Sequence, residues 1–389
     1  MSRAFVRHSL GVLLAAGLVA VGMTQSRVDA QSHAFEVVTV AEGLQNPWSM
    51  DWLPNGDMLI TERPGRLRVV REGVLEPEPV PGVPAVRARG QGGLLEIAVH
   101  PDYASNQLVY MTIAKPSLDP DQAEGTTALV RARFDGNQLT EVEEIFEARA
   151  WSTTGGHYGS RIVFDGEGHL FMSIGDRQAP PLMATVREHP AQDRSNHQGT
   201  ILRLNLDGSV PADNPFVGQE GILPEIWSYG HRSPQGMAIN PLTGDLWENE
   251  HGPMGGDELN LIRPGANYGW PVVGFGINYN GARIHLSETS DEMEAPRHFW
   301  VPSIATSGLM FYDGDQFPGW RGHAFVGGLA GEQLVRLPVD GEDVLGRVVM
   351  LDNLGRIRDI RQGPDGFIYV AVDSREGAPT RVVRLEPAD

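Results

Sequence analysis

The chain contains no cysteine among its 389 residues. This absence excludes disulfide bonds and a cysteine nucleophile, so core packing or a metal held by other ligands must stabilise the fold. The hydrophobic content of 41% is sufficient for one large core, and no linker divides the sequence. These features are compatible with a single all-β domain.

Lysine is nearly absent as well, because Lys115 is the single lysine beside thirty arginines. The formal net charge of -19 argues against nucleic acid or an anionic membrane surface as a partner and favours cation binding. Arginine is always charged and binds carboxylates through two parallel hydrogen bonds. An anionic ligand of this chain would therefore be bound by arginine.

Several catalytic signatures are missing. The sequence has no Gly-x-Ser-x-Gly elbow and no His-Glu-x-x-His motif. Its glycine-rich segments match neither the dinucleotide fingerprint nor the P-loop. No motif therefore requires a hydrolase or a nucleotide-binding protein.

Only one long apolar run occurs near the N-terminus, at Leu10–Met23, and it is too short to span a bilayer comfortably. Arg3 and Arg7 precede this run, and a small-residue pattern typical of a secretory cleavage site follows at 28–30. We predict a signal peptide at 1–30, with an uncleaved anchor as the alternative. The mature chain, 31–389, is expected in the periplasm as one catalytic domain without a membrane span.

A strand, a turn rich in Pro, Asn, Asp and Gly, and a second strand recur along the chain. The units span Trp48–Thr61, Leu95–Ile113, Arg161–Ile174, Gly236–Glu248, Gly308–Gly327 and Ile357–Val372. An apolar third strand follows such units, and no long amphipathic helix intervenes. Radial repetition closes many short strands without exposed edges, so we predict a six-bladed β-propeller of four-stranded antiparallel sheets. The insertions Arg177–Thr200 and Asn267–Ser303 are predicted as loops on one face, where repeat proteins place their sites.

Two turns before predicted strands carry candidate site residues. His157 lies in the glycine-rich segment 155–161, and its imidazole could take a proton from a hydroxyl, as sugar or alcohol oxidation requires. A partly exposed structural histidine is the alternative. Gln91 stands beside glycines in the segment 87–95, where either a ligand approaches the backbone or the chain makes a tight turn between blades.

Two arginines spaced by two, Arg356 and Arg358, would point to one face of a strand. Two guanidinium groups on one face favour an anion, and bidentate binding of carboxylates is the functional interpretation. The alternative is a surface ion-pair ladder.

The densest polar tract of the chain, 224–271, offers oxygen ligands in a glycine-rich loop. Gly252 and Pro253 supply backbone carbonyls, and Asp257 and Glu258 supply carboxylates. Hard oxygen ligands in a cysteine-free chain favour calcium over zinc, and a solvated acidic turn is the alternative. Adjacent side chains diverge in an extended chain, so one ion would need one carboxylate plus backbone or Tyr268.

Together these motifs resemble the soluble aldose sugar dehydrogenases that depend on pyrroloquinoline quinone (PQQ), relatives of soluble glucose dehydrogenase and sorbosone dehydrogenase. The resemblance covers nearly all of the chain from Gly43 to Leu385. It depends on short segments that occur in order, namely Gln91–Leu95, His157–Arg161, Ile174–Asp176, Gly230–Gly236, His251–Pro253, Asp257–Ile262, Asn267–Pro271 and Gly355–Asp359.

The resemblance implies oxidation of aldoses at the anomeric carbon to lactones, with an external electron acceptor. In this assignment His157 is the base that takes the anomeric hydroxyl proton, and Arg232 stabilises the oxyanion. The residues implied to contact PQQ are Gln91, Arg232, Ser233, Arg356 and Arg358.

The resemblance also implies two calcium ions. The carbonyls of Gly252 and Pro253 would hold the Ca²⁺ that activates the quinone, as a Lewis acid and template. Glu258 and Tyr268 would mark a second, structural Ca²⁺. The chain is expected as a monomer or homodimer.

Three positions depart from the family pattern. Ser233 stands where asparagine is common, and Ala330 stands where several relatives place a lysine that meets PQQ. Gly156 replaces an aspartate of the glucose-specific branch, which implies a broader aldose specificity. Two other functions remain open at this stage: a calcium-dependent propeller lactonase, and a non-catalytic carbohydrate-binding propeller.

Overall fold

The computed structural model describes residues 35–119 and 121–388. Its main strands form six four-stranded antiparallel sheets, arranged as the blades of a propeller, which confirms the predicted fold class. The signal peptide predicted at 1–30 lies outside the described residues. Within the described ranges, no helix has the length and apolar character that a membrane crossing requires.

The first three complete blades follow one another along the chain after β1 (Phe35–Leu44). Blade 1 consists of β2 (Pro47–Trp52), β3 (Met58–Glu62), β4 (Arg66–Arg71) and β5 (Val74–Leu75). Blade 2 consists of β6 (Leu94–Val99), β7 (Leu108–Pro116), β8 (Gly125–Phe134) and β9 (Leu139–Glu147), with the short helix α1 (Tyr103–Asn106) before β7. Blade 3 consists of β10 (Ile162–Phe164), β11 (His169–Ile174), β12 (Thr200–Asn205) and β13 (Ile226–Tyr229).

The other three blades complete the ring. Blade 4 consists of β14 (Pro234–Ile239), β15 (Leu246–Glu250), β16 (Asp257–Leu261) and β17 (His298–Trp300). Blade 5 consists of β18 (Thr306–Phe311), β19 (Ala324–Gly328), β20 (Gln333–Leu337) and β23 (Val348–Asp352), with the ribbon β21 (Val339–Asp340) and β22 (Asp343–Val344) inserted. Blade 6 consists of β24 (Arg356–Gln362), β25 (Ile368–Asp373), β26 (Thr380–Pro387) and β1. Short 3₁₀ turns lie at Met183–Glu188, Pro190–Gln192 and Pro318–Trp320.

Two details differ from the sequence-based prediction. The segment 267–303, predicted as a loop, contains β17, so this part of the prediction was wrong. The outer strand of blade 6 is β1, which pairs antiparallel with β26 from Phe35 opposite Pro387 to Leu44 opposite Thr380. The first described strand therefore closes the ring against the last one.

Each sheet packs between its neighbours, and this placement explains the burial of its middle strands. Leu59 and Leu67 of blade 1 share one apolar cluster with Met111 and Val130 of blade 2. Both faces of such a sheet are covered, so β3 and β15 are buried along their whole length. Burying one large apolar side chain contributes about 1.5–3 kcal/mol. Packing between neighbouring blades thus holds these middle strands in fixed positions.

The first strand of each sheet packs against the first strands of neighbouring blades and so lies innermost. At this centre, the Arg161 guanidinium lies 2.8 Å from Glu96 and 3.0 Å from Asp359. Arg361 bridges the same two carboxylates, at 2.5 Å from Glu96 and 3.1 Å from Asp359. This ring of four charges, called the axial ion-pair ring below, joins blades 2, 3 and 6 beneath the site.

Candidate active site

Two adjoining cavities lie at one end of the propeller axis. The first, of about 270 Å³, takes lining residues from the start of the innermost strand, or the loop before it, in every blade. These residues are Trp48, Gln91, Gly159, Gln235, Ala305 and Arg356. The second cavity, of about 230 Å³, shares Gln91 and His251 with the first. We call them the arginine cavity and the histidine cavity.

His157 lines the histidine cavity from a strained loop before β10. Its backbone φ of 50° is in the left-handed region, which non-glycine residues rarely adopt. Gly159 follows with φ 70°, and a Cβ there would lie 2.5 Å from the carbonyl oxygen of Ser173, so only glycine fits. The His157 N–H donates to Gln91 Oε1 at 2.8 Å. The predicted glycine-rich turn thus positions both candidate residues.

Asp176, at the end of β11, fixes the imidazole of His157. The distance from His157 Nδ1 to Asp176 Oδ1 is 2.6 Å, and the two side chains are 8% and 1% exposed. Burial raises the pKa of Asp176, but His157 and Arg232 outweigh this effect and lower it, so the carboxylate is ionised. It accepts the Nδ1 proton and leaves Nε2 as the nitrogen that can take another proton.

Burial lowers the pKa of His157 below its ordinary value, and Arg232 and Arg177 lower it further. Asp176 opposes the shift. The imidazole is therefore neutral at neutral pH, as a general base must be. The sequence alone assigned Asp176 no role, although this residue belongs to the segment Ile174–Asp176. Its partner, His157, lies 19 residues upstream, so no local pattern links the two residues.

Arg232 lines the same cavity as His157 and is held on several sides. Its Nη1 donates to the carbonyls of His251 and Gly252, both at 2.9 Å, and its guanidinium lies 5.2 Å from the ring centroid of Trp270. The Trp270 indole N–H donates to Asp176 Oδ2 at 2.8 Å. Trp270 therefore links the group that positions the base to the nearby cation, a role that the motif alone did not indicate.

Arg356 and Arg358 both line the arginine cavity from β24, as their spacing predicted. Arg356 Nη1 donates to the carbonyl of Leu329 at 2.9 Å, and Arg358 Nη1 donates to Gln235 Oε1 at 3.0 Å. Burial lowers the pKa of Arg358 to about 10, and the neighbouring arginines add to that shift. Both groups make hydrogen bonds to neutral oxygens, and the carboxylate near them, Asp373, lies 3.9 Å from Arg356 Nε and 4.0 Å from Arg358 Nη2.

Ser233 is fully buried and lies behind the cavity wall. Its hydroxyl accepts a hydrogen bond from Gln235 Nε2 at 3.1 Å. Gln235 Oε1 in turn accepts the hydrogen bond from Arg358 Nη1. Of Ser233 and Gln235, only Gln235 lines the cavity. The segment Gly230–Gly236 contains Gln235, but the sequence alone assigned this residue no role. Ala330 lines the same cavity with a methyl group only.

The predicted calcium ligands surround a narrow cavity of about 20 Å³ beside the histidine cavity. Gly252, Pro253, Glu258 and Tyr268 all line it. A Cβ on Gly252 would lie 2.3 Å from the Gly255 carbonyl oxygen, so this tight loop requires glycine. The nearby Asp257 carboxylate accepts hydrogen bonds from the backbone N–H groups of Gly252 and Ile304, which orders the loop that carries the Gly252 and Pro253 carbonyls.

Glu258 and Tyr268 contribute differently to this narrow cavity. Burial and the neighbouring Glu250 carboxylate raise the pKa of Glu258 well above its usual range, a situation that a bound cation would reverse. The Tyr268 hydroxyl donates to the carbonyl of Leu261 at 2.5 Å and accepts the N–H of Arg263 at 2.8 Å. Only the backbone carbonyl of Tyr268 could therefore face an ion.

Among the described residues, one group of three potential metal-ligating side chains is close enough to hold an ion: His231, Glu248 and Glu250. Burial lowers the pKa of His231, but hydrogen bonds with the two carboxylates outweigh it and raise the pKa to about 9. In this structure the three groups form a buried ion pair, and Glu250 also accepts the backbone N–H of Arg232.

Gly156 lies beside the histidine cavity, and its space is already used. A Cβ on Gly156 would lie 2.5 Å from the side-chain amide of Gln178, which lines that cavity. An aspartate at this position could enter only if Gln178 moved away. The Gln178 side chain thus occupies the space that an aspartate at position 156, as in the glucose-specific branch, would need.

Comparison with known proteins gave concordant results. The model of the glucose/sorbosone dehydrogenase family matches residues 44–384. The chain is 40% identical over 353 residues to aldose sugar dehydrogenase of Escherichia coli K12, covering 89% of this chain and 92% of that protein. The crystal structure of the soluble E. coli enzyme in its apo form superposes with a TM-score of 0.83 at 38% identity, covering 91% of this chain and 100% of that one. The PQQ-bound aldose sugar dehydrogenase of Streptomyces coelicolor superposes with a TM-score of 0.72 at 29% identity, covering 91% and 98%.

Proposed function

The chain belongs to the glucose/sorbosone dehydrogenase family, as its motifs predicted, and we propose that it oxidises aldose sugars at the anomeric carbon to lactones with PQQ and Ca²⁺. One observation carries this proposal. A buried, carboxylate-oriented histidine and an arginine line one cavity, and that cavity adjoins a second one lined by four arginines and one carboxylate. The first arrangement fits a reacting hydroxyl, and the second fits an anionic cofactor.

His157 is the proposed general base. Its Nε2 takes the proton of the C1 hydroxyl, while the hydrogen on C1 leaves as hydride and the C1–O bond becomes the lactone carbonyl. Asp176 holds the tautomer in which Nε2 is free and stabilises the imidazolium that forms. When bound, PQQ supplies the two-electron acceptor for the hydride, and Ca²⁺ polarises it.

Arg232 is the proposed electrostatic partner of the base. Negative charge develops on the sugar oxygen as its proton leaves, and a fixed cation nearby stabilises that charge. Hydrogen bonds to two carbonyls and the face of Trp270 hold the guanidinium in place before the sugar arrives. Such preorganisation avoids rearrangement during the reaction.

The donor set of the arginine cavity fits the three carboxylates of PQQ. Arg356 and Arg358 would bind carboxylates, Gln91 would contact both cofactor and sugar because it lines both cavities, and Ser233 would act through Gln235. The residues that would hold calcium are Gly252 and Pro253 beside the cofactor and Glu258 with the Tyr268 carbonyl at a structural ion. Carbonyl and carboxylate oxygens are the ligands that Ca²⁺ prefers.

Reconstitution tests this proposal. Protein freed of cofactor and metal should oxidise aldoses in a dye-linked assay after addition of PQQ and Ca²⁺ together, and addition of either one alone should give little activity. His157→Ala should bind PQQ like the wild type and lose at least about 100-fold in kcat, because a general base contributes about 10²–10⁴-fold. Absence of activity with every aldose in a broad panel would refute the proposal.

The lactonase hypothesis requires metal-ligating carboxylates in the central channel. Glu96 and Asp359 do lie there, but Arg161 and Arg361 pair with both of them. This pairing disfavours a channel metal, and lactone hydrolysis without PQQ would overrule that argument.

We further propose that the signal peptide at 1–30 directs the enzyme to the periplasm, which N-terminal sequencing of the exported protein would test.

A further inference from the structure

The arginine cavity holds more positive charge than the family assignment uses. Besides Arg356 and Arg358, it is lined by Arg63 and Arg375, and its one carboxylate belongs to Asp373. Four arginines and a single acid thus line a cavity of about 270 Å³. Such an excess favours a ligand with several negative charges.

The protein compensates this excess only in part, through Asp373. Asp373 Oδ2 lies 3.9 Å from Arg356 Nε and 4.0 Å from Arg358 Nη2, which is too far for hydrogen bonds. Across residues 35–119 and 121–388, no carboxylate lies within ion-pair distance of Arg63 or Arg375. Burial lowers the pKa of Arg356 and Arg358, and Asp373 opposes this shift. Arg63 lowers both pKa values further and Arg375 lowers that of Arg356, as expected of cations that repel one another.

The backbone around Arg63 is built to hold its position between β3 and β4. Its N–H donates to the Asn46 carbonyl at 3.1 Å, and its carbonyl accepts the Leu94 N–H at 3.2 Å. Gly93 packs so closely that a Cβ there would lie 1.9 Å from the Arg63 carbonyl oxygen. The guanidinium is fixed at Nη1 by the Gly90 carbonyl at 2.7 Å, which leaves its other N–H groups for a ligand. Arg375 is more exposed, in the connection between β25 and β26.

We propose that Arg63 and Arg375 are additional PQQ-anchoring residues, which bind cofactor carboxylates in place of the lysine that this chain lacks at Ala330. The inference rests on the proposed function, since it assigns the cofactor of that same site. Ala330 lines the same cavity as both arginines. Arg63 and Arg375 would therefore provide, within that cavity, the positive charge that position 330 lacks. No redox step is altered, and the two residues act on cofactor affinity alone.

Affinity for PQQ in the absence of sugar is the measurement that tests the inference. Apoprotein at fixed Ca²⁺ is titrated with PQQ, followed by absorbance and by calorimetry. Arg63→Gln should raise Kd about 10-fold and Arg375→Gln about 3-fold, because charge-assisted bonds to a partly exposed carboxylate are stronger in the more buried and ordered position. Arg63→Lys should keep most of the affinity, and Ala330→Lys in the Arg63→Gln protein should restore it.

The matched control is Arg321→Gln, which removes an exposed arginine that is paired with Asp315 and lines neither cavity. It should bind PQQ like the wild type, and each variant should keep the wild-type melting temperature. A steeper loss of affinity with salt in the wild type than in Arg63→Gln would support a direct charge contact. Affinities within twofold of wild type for Arg63→Gln and Arg375→Gln would overturn the inference and leave the proposed function standing. A wild type that binds no PQQ would overturn both.

Discussion

Replacing Asp176 by asparagine removes the charge that orients the proposed base while it keeps the size of the side chain. The bond from His157 Nδ1 to Asp176 Oδ1 measures 2.6 Å in a site that is almost free of solvent. A hydrogen bond to a buried charged group contributes about 1.5–3 kcal/mol, and 1.4 kcal/mol corresponds to tenfold in rate. We therefore expect kcat to fall about 10- to 100-fold, with a small change in KM.

The pH profile of the same variant gives a second readout. His157 acts as a base only when neutral, so activity falls as the pH drops through its pKa. Burial, Arg232 and Arg177 lower that pKa, and Asp176 raises it. His189, 3.9 Å from Asp176, also faces the pair and is unchanged in the variant. Loss of the carboxylate removes the raising contribution, so the acid limb of kcat/KM should move to lower pH.

A matched control exists elsewhere in the chain. Asp165 Oδ2 lies 2.7 Å from His169 Nδ1 in a partly exposed pair outside both cavities. Asp165→Asn should leave kcat and the pH profile unchanged when both variants are assayed with saturating PQQ and Ca²⁺ over a range of pH. If Asp176→Asn keeps kcat and the acid limb of the wild type, the assignment of His157 as an Asp176-oriented base is incorrect.

Three further predictions concern residues around the site and below it. Trp270→Phe removes the indole N–H bonded to Asp176 but keeps a ring face, so kcat should fall about 3- to 10-fold, the equivalent of one neutral hydrogen bond, with the fold intact by circular dichroism. Gly156→Asp should lower activity by displacing Gln178, and the double variant Gly156→Asp with Gln178→Ala should recover it in the dye-linked assay. Glu96→Gln leaves the buried Arg161 and the partly buried Arg361 with one carboxylate fewer and should lower the free energy of unfolding by about 3 kcal/mol in urea titrations. An unchanged midpoint would show that the axial ion-pair ring adds nothing to stability.

The blades were predictable because the strands of five of them, and three strands of blade 6, follow one another in sequence. A turn rich in Pro, Asn, Asp and Gly, such as the one at 54–57, connects neighbouring antiparallel strands, so pattern and turn chemistry indicate the same hairpin. The pairing of β1 with β26 has no such local signal, since the two strands lie at opposite ends of the described chain. Sequence reasoning therefore predicted six blades and missed how the ring closes.

The candidate site shows the same division between local and distant information. Gln91, His157 and Arg232 line one cavity, and each lies in or beside a turn whose glycines mark an unusual backbone that is visible in the sequence. Arg63 was not predicted, since nothing near it in sequence distinguishes it from neighbouring surface arginines. Ser233 looked like a contact residue but has its hydroxyl bonded to Gln235. Side-chain direction depended on packing between blades, which a single sequence does not display.

The closure of blade 6 has a consequence for how the chain folds. Leu44 and Thr380, which meet in the β1–β26 ladder, are 336 residues apart. Contacts between such distant segments are slow to form. The backbone N–H and C=O groups of β1 that pair with β26 therefore stay unpaired until β26 has been synthesised. An open edge is a template for pairing with another chain. Folding speed and resistance to aggregation therefore depend on the last eight residues of the ladder, Thr380–Pro387, although none of them lines either cavity.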